Sequence, residues 1–198
     1  MYYFHRRHSQ FTGLEYLLVA SWILIISSFP TYWYQKEENG LKMRFNYKQI
    51  EYEDKDGMVW QGEFPNAESR ELSVYRAAFA FDIIGFMILS ITICLVSISF
   101  FPCKLAPWLS SITKYFPIGA LVFCIVSVVI FAGALKEARH KDCVKIHEYC
   151  DDKMFDFIVQ DYNGLSQHPI HGWAFLIIAT IFLTCSTISS IAISDYTK

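Results

Sequence analysis

Residues 116–135 read FPIGALVFCIVSVVIFAGAL and contain no Asp, Glu, Lys, Arg or His. A helix that crosses a bilayer needs about 20 largely apolar residues at 1.5 Å of rise each. This stretch meets that length with nothing to spare, and working outward from it three more windows qualify. One covers 14–34 around LLVASWILIISSF, one covers 77–101 and carries a single acid, Asp82, and one covers 172–193 with no charge. Hydrophobic residues make up 54% of the chain and charged residues 18%, against about 25% charged in an ordinary soluble domain.

The charges are segregated between these windows. Segment 31–76 holds seven basic and nine acidic residues and segment 136–170 holds five and seven, so two stretches carry 28 of the 36 charges. The reading is a single membrane domain over 1–198 with four spans and two polar lobes, at about 35–76 and 136–171. A net charge of −2 provides no basic field for nucleic acid, and that class is set aside. Four spans place both termini on one face and both lobes on the other. Arg6, Arg7, Lys104, Lys114 and Lys198 flank the spans on the terminal side and lean it towards the cytoplasm. Trp33, Tyr75, Trp108, Tyr115, His171, Trp173 and Tyr196 stand at window ends, where interfacial anchors belong. The opening MYYFHRRHSQ has the look of a signal-peptide n-region, but Glu15 and the lack of a small-residue cleavage site argue against removal.

In the first lobe, LKMRFNYKQIEY alternates apolar and polar side chains and shifts phase near Gln49, which predicts a strand with a bulge or a change of face. Asp54-Lys55-Asp56-Gly57 is a turn, Met58 to Phe64 a return strand, and Thr31 to Lys36 a third strand. In the second lobe Phe155, Ile158, Val159 and Tyr162 fall at helical spacing. The third span is expected to continue upward as a helix, followed by a second short amphipathic turn or helix. Asn163-Gly164 and Pro169 then close the lobe.

A span, a β-lobe of about this size, a short inner loop and a smaller second lobe before the last span resemble the superfamily of claudins, peripheral myelin proteins and calcium-channel gamma subunits. Gly57-Met58-Val59-Trp60 is similar to the family's Gly-Leu-Trp, and Arg76 sits where the family has an Arg at the mouth of the second span. Gly172-Trp173-Ala174-Phe175 is similar to the opening of the family's fourth span. The resemblance implies an all-α four-helix membrane bundle carrying a small extracellular antiparallel sheet, and a non-enzymatic role. Two jobs follow from it: auxiliary or assembly subunit of a channel or receptor, or adhesion and barrier formation at cell junctions. The family's cysteine pair after Gly-Leu-Trp has no counterpart here, since 54–76 contain no Cys. The C-terminal Asp195-Tyr196-Thr197-Lys198 ends in a base, unlike the hydrophobic tails that junctional claudins offer to scaffolds.

Cys94, Cys124 and Cys185 lie in apolar windows, where a thiol is a small hydrophobe. Cys103 in the inner loop is a position for palmitoylation or a free thiol. Cys143 and Cys150 share the second lobe. An oxidising compartment favours a disulfide between them, but seven residues of unbroken helix separate two Cα atoms by about 10 Å and a disulfide spans less than about 7 Å. Pairing therefore requires the helix to break between Asp142 and Asp151. Free thiols on a continuous helix remain open, as does zinc held by His140, Cys143, His147 and Cys150 with a partner chain's help. Paired cysteines would end the helix near Asp142 and present Lys145, Ile146, His147 and Glu148 as a contact patch. Asp82 is expected in a structural polar cluster with Arg76, Lys136 and His171. Trp60 is expected to be a buried anchor of the sheet, and Gly172 and Trp173 anchors of the fourth span.

The sequence thus describes a plasma-membrane, multi-pass protein with no cofactor and no resident metal. Its partners are the bilayer and another membrane protein or a second copy. A small four-helix thiol oxidase is the rival class, and the Cys-x-x-Cys pair it needs is absent. An epitope placed after Lys198 should stain only in permeabilised cells and one near Asn39 should stain intact cells; the reverse pattern inverts the topology.

Overall fold

The computed structural model describes residues 2–64, 69–100, 108, 112–146, 150, 152–162 and 164–192. Among them are four long helices, α1 (Tyr2–Ser28), α2 (Arg70–Phe100), α3 (Phe116–Ile146) and α4 (His171–Ala192). Six strands accompany them: β1 (Tyr34–Glu38), β2 (Leu41–Phe45), β3 (Ile50–Glu53), β4 (Val59–Gly62), β5 (Val159–Tyr162) and β6 (Leu165–Pro169). Three helical stretches, Arg70–Ile98, Phe116–Val144 and His171–Ala192, are long and apolar enough to cross a membrane, and Gly13–Ser28 is a shorter apolar helix. The chain is a membrane protein. It divides into two compact units, one of 1–26, 82–125 and 176–198, the other of 27–81 and 126–175.

The first unit is helical and is apolar on its outer surface. Leu14, Leu18, Ser21 and Ile25 form the buried stripe of α1, and Leu89, Thr92 and Val96 that of α2. Met87, Ile91, Val122, Ile181 and Ile188 are exposed, an arrangement suited to hydrocarbon rather than water. Several hydroxyls inside it bond to their own helices, as Ser21 does to Leu17 O, Thr92 to Ile88 O and Ser186 to Phe182 O. Between helices, Trp22 Nε1 donates to Ser90 Oγ at 2.9 Å and Ser97 Oγ to Glu15 Oε1 at 3.0 Å. Gly85 lets α2 approach α3, because a Cβ there would lie 3.0 Å from Cys124 Sγ and 3.3 Å from Ala120 O.

The second unit carries one antiparallel sheet in the order β4-β3-β2-β1-β6-β5. Both lobes contribute to it, since β1 pairs with β2 on one side and with β6 on the other, Tyr34 facing both Phe45 and Pro169. Asn39 and Gly40, at φ 53° and 82°, turn β1 into β2, the left-handed pair that a two-residue hairpin requires. Rings fill the core: Phe131 is fully buried and meets Trp33 at 5.3 Å, Tyr75 at 5.2 Å and Phe157 at 5.8 Å.

Several sequence expectations change. The stretch 41–52 is two strands with a reversal, not one strand with a bulge. Asn46 Oδ1 accepts the N–H groups of Lys48 and Gln49 at 2.8 Å, an Asx turn that returns β2 into β3. Ile158 to Tyr162 is not helical. A 3-10 turn (Asp152–Phe155) is followed by β5, which pairs with β6 through a turn holding Gly164 at φ 77°. The first window ends as helix at Ser28, and Trp33 and Tyr34 are core residues rather than interfacial anchors, 2% and 0% exposed. Trp33 Nε1 and Thr31 Oγ1 donate to Ser28 O at 3.0 and 2.9 Å, satisfying a carbonyl that the helix end leaves open. Tyr75 is likewise buried. The third window continues as helix to Ile146, three turns beyond its apolar part.

Trp60 is not a buried anchor. It lies on the outermost strand, 45% exposed, and stacks on Tyr52 at 5.7 Å. β4 is the outermost strand on its side of the sheet, so among the described residues no strand beyond it covers the ring. Gly172 is buried, and a Cβ there would meet Trp33 Cδ1 at 2.4 Å and Thr31 Oγ1 at 2.7 Å. Trp173 packs on Phe157 at 5.5 Å. Gly172→Ala should therefore destabilise by about 1–3 kcal/mol through overpacking. Trp60→Ala should cost about 1 kcal/mol, the stacking alone, well below the ~3–5 kcal/mol of a buried Trp. Thermal unfolding in detergent reads both, and an equal loss at the two positions contradicts this placement.

Candidate functional site

The most heavily constrained polar group of the second unit is Arg139, which the sequence reading passed over. It belongs to the run KEARHKDC, which reads as a solvated helix. The signal it did carry was a buried stripe at Phe131, Leu135 and Ala138, continuing the apolar face past Lys136 with Arg139 beside it. The Arg139 side chain is 8% exposed. Its Nε donates to Glu71 Oε1 at 2.8 Å, and Nη2 lies 2.8 Å from the same oxygen as a charge contact. Nη1 donates to Gln167 Oε1 at 3.3 Å. The guanidinium stands over the Tyr34 ring, 4.2 Å from its centroid, a cation–π contact of the kind Arg favours.

Each partner is held in turn. Gln167, 1% exposed, donates from Nε2 to Met154 O at 2.9 Å and Asp156 O at 2.7 Å, which fixes its oxygen towards the arginine. Tyr34 donates to Phe157 O at 2.8 Å, and burial pushes its phenol above the ordinary tyrosine range, so it remains a neutral donor. Three residues beyond Arg139, Asp142 caps the start of α2. Ser69 Oγ and the Glu71 N–H donate to Asp142 Oδ2 at 2.7 and 3.0 Å, and the Arg70 N–H donates to Oδ1 at 3.1 Å. A carboxylate at a helix N-terminus satisfies orphan donors and opposes the helix dipole. Beside the network lies a cavity of about 200 Å³ whose walls include Lys36, Met43, Phe45, Arg139 and Met154.

On the open face of the sheet, Arg44 forms a second cluster, with Nη1 2.6 Å from Glu51 Oε1 and Nη2 2.6 Å from Glu53 Oε2. The hydrogen bond to Glu51, above all, holds the Arg44 guanidinium further above its ordinary pKa. Cross-strand ion pairs do for this sheet part of what a disulfide does elsewhere.

Cys143 and Cys150 are joined as a disulfide with Cα atoms 6.2 Å apart. The helix does not end near Asp142 but continues to Ile146, almost a turn past Cys143. With both sulfurs in the bond, the zinc arrangement loses its thiolates. Among the described residues no group of His, Cys, Asp and Glu is placed to hold a metal ion. His140 packs its ring against Phe155 at 5.6 Å. Lys145 and Ile146 are the last residues of α3, while His147, Glu148 and Cys103 lie outside the described residues. Of the expected polar cluster, Asp82 is fully buried in the first unit, Arg76 and His171 are exposed, and Lys136 pairs with Asp156 at 2.5 Å. Arg76 is thus a surface residue and not a buried anchor, because its helix face turns away from the aromatic core.

A guanidinium paired to a carboxylate has no proton to exchange near neutral pH. What the arrangement can do is hold surfaces in place. The sequence matches no family model and no curated protein.

Removing one member of a buried pair strands the other charge. Arg139→Met should destabilise the protein by about 2–4 kcal/mol, the low end reflecting the partial exposure of Glu71. Combining it with Glu71→Leu should recover at least half of that. Additive losses in this double-mutant cycle, measured by thermal or chemical unfolding, would show that the two side chains are not coupled.

Proposed function

We propose that the chain is a non-enzymatic plasma-membrane protein that serves as an auxiliary or assembly subunit of a membrane channel or receptor complex, working through its polar unit and its helix faces. The observation that carries the reading is the use made of Arg139. Among the described residues of the polar unit, Arg139 is the most deeply buried charge, and it is bound to Glu71, Gln167 and Tyr34, which commits it to holding the unit rigid. Arg44 is committed in the same way. A unit whose charges are fixed in this manner is suited to being recognised.

The Cys143–Cys150 disulfide supports placing that unit on the extracellular or lumenal side, where such bonds persist. Both termini are then cytoplasmic. The resemblance to the claudin and gamma-subunit superfamily supports the same arrangement. The absence of cysteine from 54–76, where the family carries its sheet pair, favours the subunit role over junctional adhesion.

The chain, tagged after Lys198 and extracted from its native membrane in mild detergent, is expected to bring a second membrane protein with it in fixed ratio. Recovery of the chain alone, or only with copies of itself, under conditions that preserve known complexes overturns the subunit reading.

A further inference from the structure

β4 is the outermost strand on its side of the sheet, and among the described residues no strand pairs with its free edge. Its backbone is aimed to receive one. The Asp54 N–H donates to Met58 O at 3.0 Å, and hydrogen-bonded pairs alternate along an antiparallel ladder. The pairs Tyr52–Trp60 and Ile50–Gly62 therefore bond β4 to β3, and the N–H and C=O groups of Val59 and Gln61 face the open side.

The other outer strand is built differently. The pairing of β5 with β6 slips between Val159 and Tyr162, and such an irregularity is a usual way for a sheet to blunt its edge. β4 has no such device. Residues 57–62, GMVWQG, contain neither a charge nor a proline. Met58, Val59 and Trp60 are 66%, 57% and 45% exposed. A regular, uncharged edge with exposed apolar side chains is a template for an added strand.

Charge selects what that strand is. Asp54 and Asp56 precede the open edge and Glu63 follows it, with Lys55 as the single base between them. An antiparallel pairing with the same strand of a second copy would bring two such acidic sets to one seam, where like charges oppose pairing. A foreign strand with bases at its ends meets the same groups favourably.

We propose that the β4 edge takes up an extended segment of another protein, alternating and apolar-to-neutral in its middle with Lys or Arg at both ends, as a seventh strand of the sheet. This deepens the subunit reading and rests on it for the partner being a different protein.

The probe is a fluorescent peptide of alternating Val and Thr with a Lys pair at each end. It is titrated by anisotropy into the intact protein in nanodiscs of zwitterionic phosphatidylcholine, so that no anionic lipid attracts the lysines. Saturable binding is expected. It should weaken at least ten-fold when a Pro replaces the central residue of the peptide, when Glu replaces the lysines, and in the Val59→Pro protein. That last substitution removes an outward N–H and leaves the bonds to β3 in place. The Pro-containing peptide gives the same reading on the unaltered protein if Val59→Pro folds poorly.

Absence of binding overturns the proposal, as does equal binding of the Glu-flanked or Pro-containing peptide. A dimer of this chain that Val59→Pro abolishes would make a second copy the occupant and overturn it as well. The peptide assay reads the edge alone. Its failure leaves the subunit reading standing, whereas recovery of the chain without a partner protein removes that reading whatever the peptide does.

Discussion

The contact between Arg139 and Glu71 is the constraint on which the rest of the second unit depends. Taking a guanidinium out of water is costly unless its donors are met and its charge is balanced. Here one carboxylate, one amide oxygen and one aromatic face meet it, from α2, β6 and β1 respectively. A planar fork with fixed donor directions can serve three partners at once, and a lysine cannot. Asp142, on the same face of α3, takes the free N–H groups of α2. Two side chains three residues apart therefore set where α2 begins, and the sheet is tied to the same point through Gln167 and Tyr34.

This also explains how the sheet does without a disulfide of its own. Its central strands place Tyr34, Phe45 and Leu165 in the core, all less than a tenth exposed. Its open face is held by Arg44 reaching across to Glu51 and Glu53. Burial holds the centre and charge holds the periphery. Anchoring weakens outward from β1, which is why the ring of Trp60 on the last strand lies against Tyr52 and water instead of the core.

The helices were legible because a bilayer imposes length and apolarity without regard to tertiary detail. The lobes were less so. The phase shift near Gln49 was a true signal read as the wrong device. Phe45 and Ile50 face the same core and are register partners, so the slip in alternation marked a chain reversal, and Asn46 was the residue able to make it. Phe155, Ile158, Val159 and Tyr162 satisfied a helical period, but Val159 is drawn into the sheet opposite Gln167, and a four-residue coincidence of spacing yields to strand pairing. The pair Asn39-Gly40 carried a hairpin signal that the reading of the first lobe did not use, and both residues adopt positive φ. Of the candidate site residues, the cysteine pair was one of three arrangements left open, favoured by an oxidising compartment and possible only with a break in the helix. Arg139 could not be read from its neighbours, because only the partner carboxylate, 68 residues away in sequence, distinguishes a buried arginine from a solvated one.

The two units treat polar groups in opposite ways, and the difference follows from the medium each is built for. In the first, hydroxyls such as those of Ser21, Thr92 and Thr187 return to carbonyls one turn back in their own helices and need no water there. Its exposed side chains include many of Ile, Val and Met, such as Met87, Ile91, Val122 and Ile188. In the second, full charges are paired across elements far apart in the chain, at a density hydrocarbon would not tolerate. A loop between spans in such a protein need only close the chain, and a hairpin suffices. Here β6, from the last loop, is placed beside β1, from the first. The lobes consequently form one continuous sheet whose register is fixed on both sides of β1, and a partner that binds either lobe acts on a surface to which both contribute.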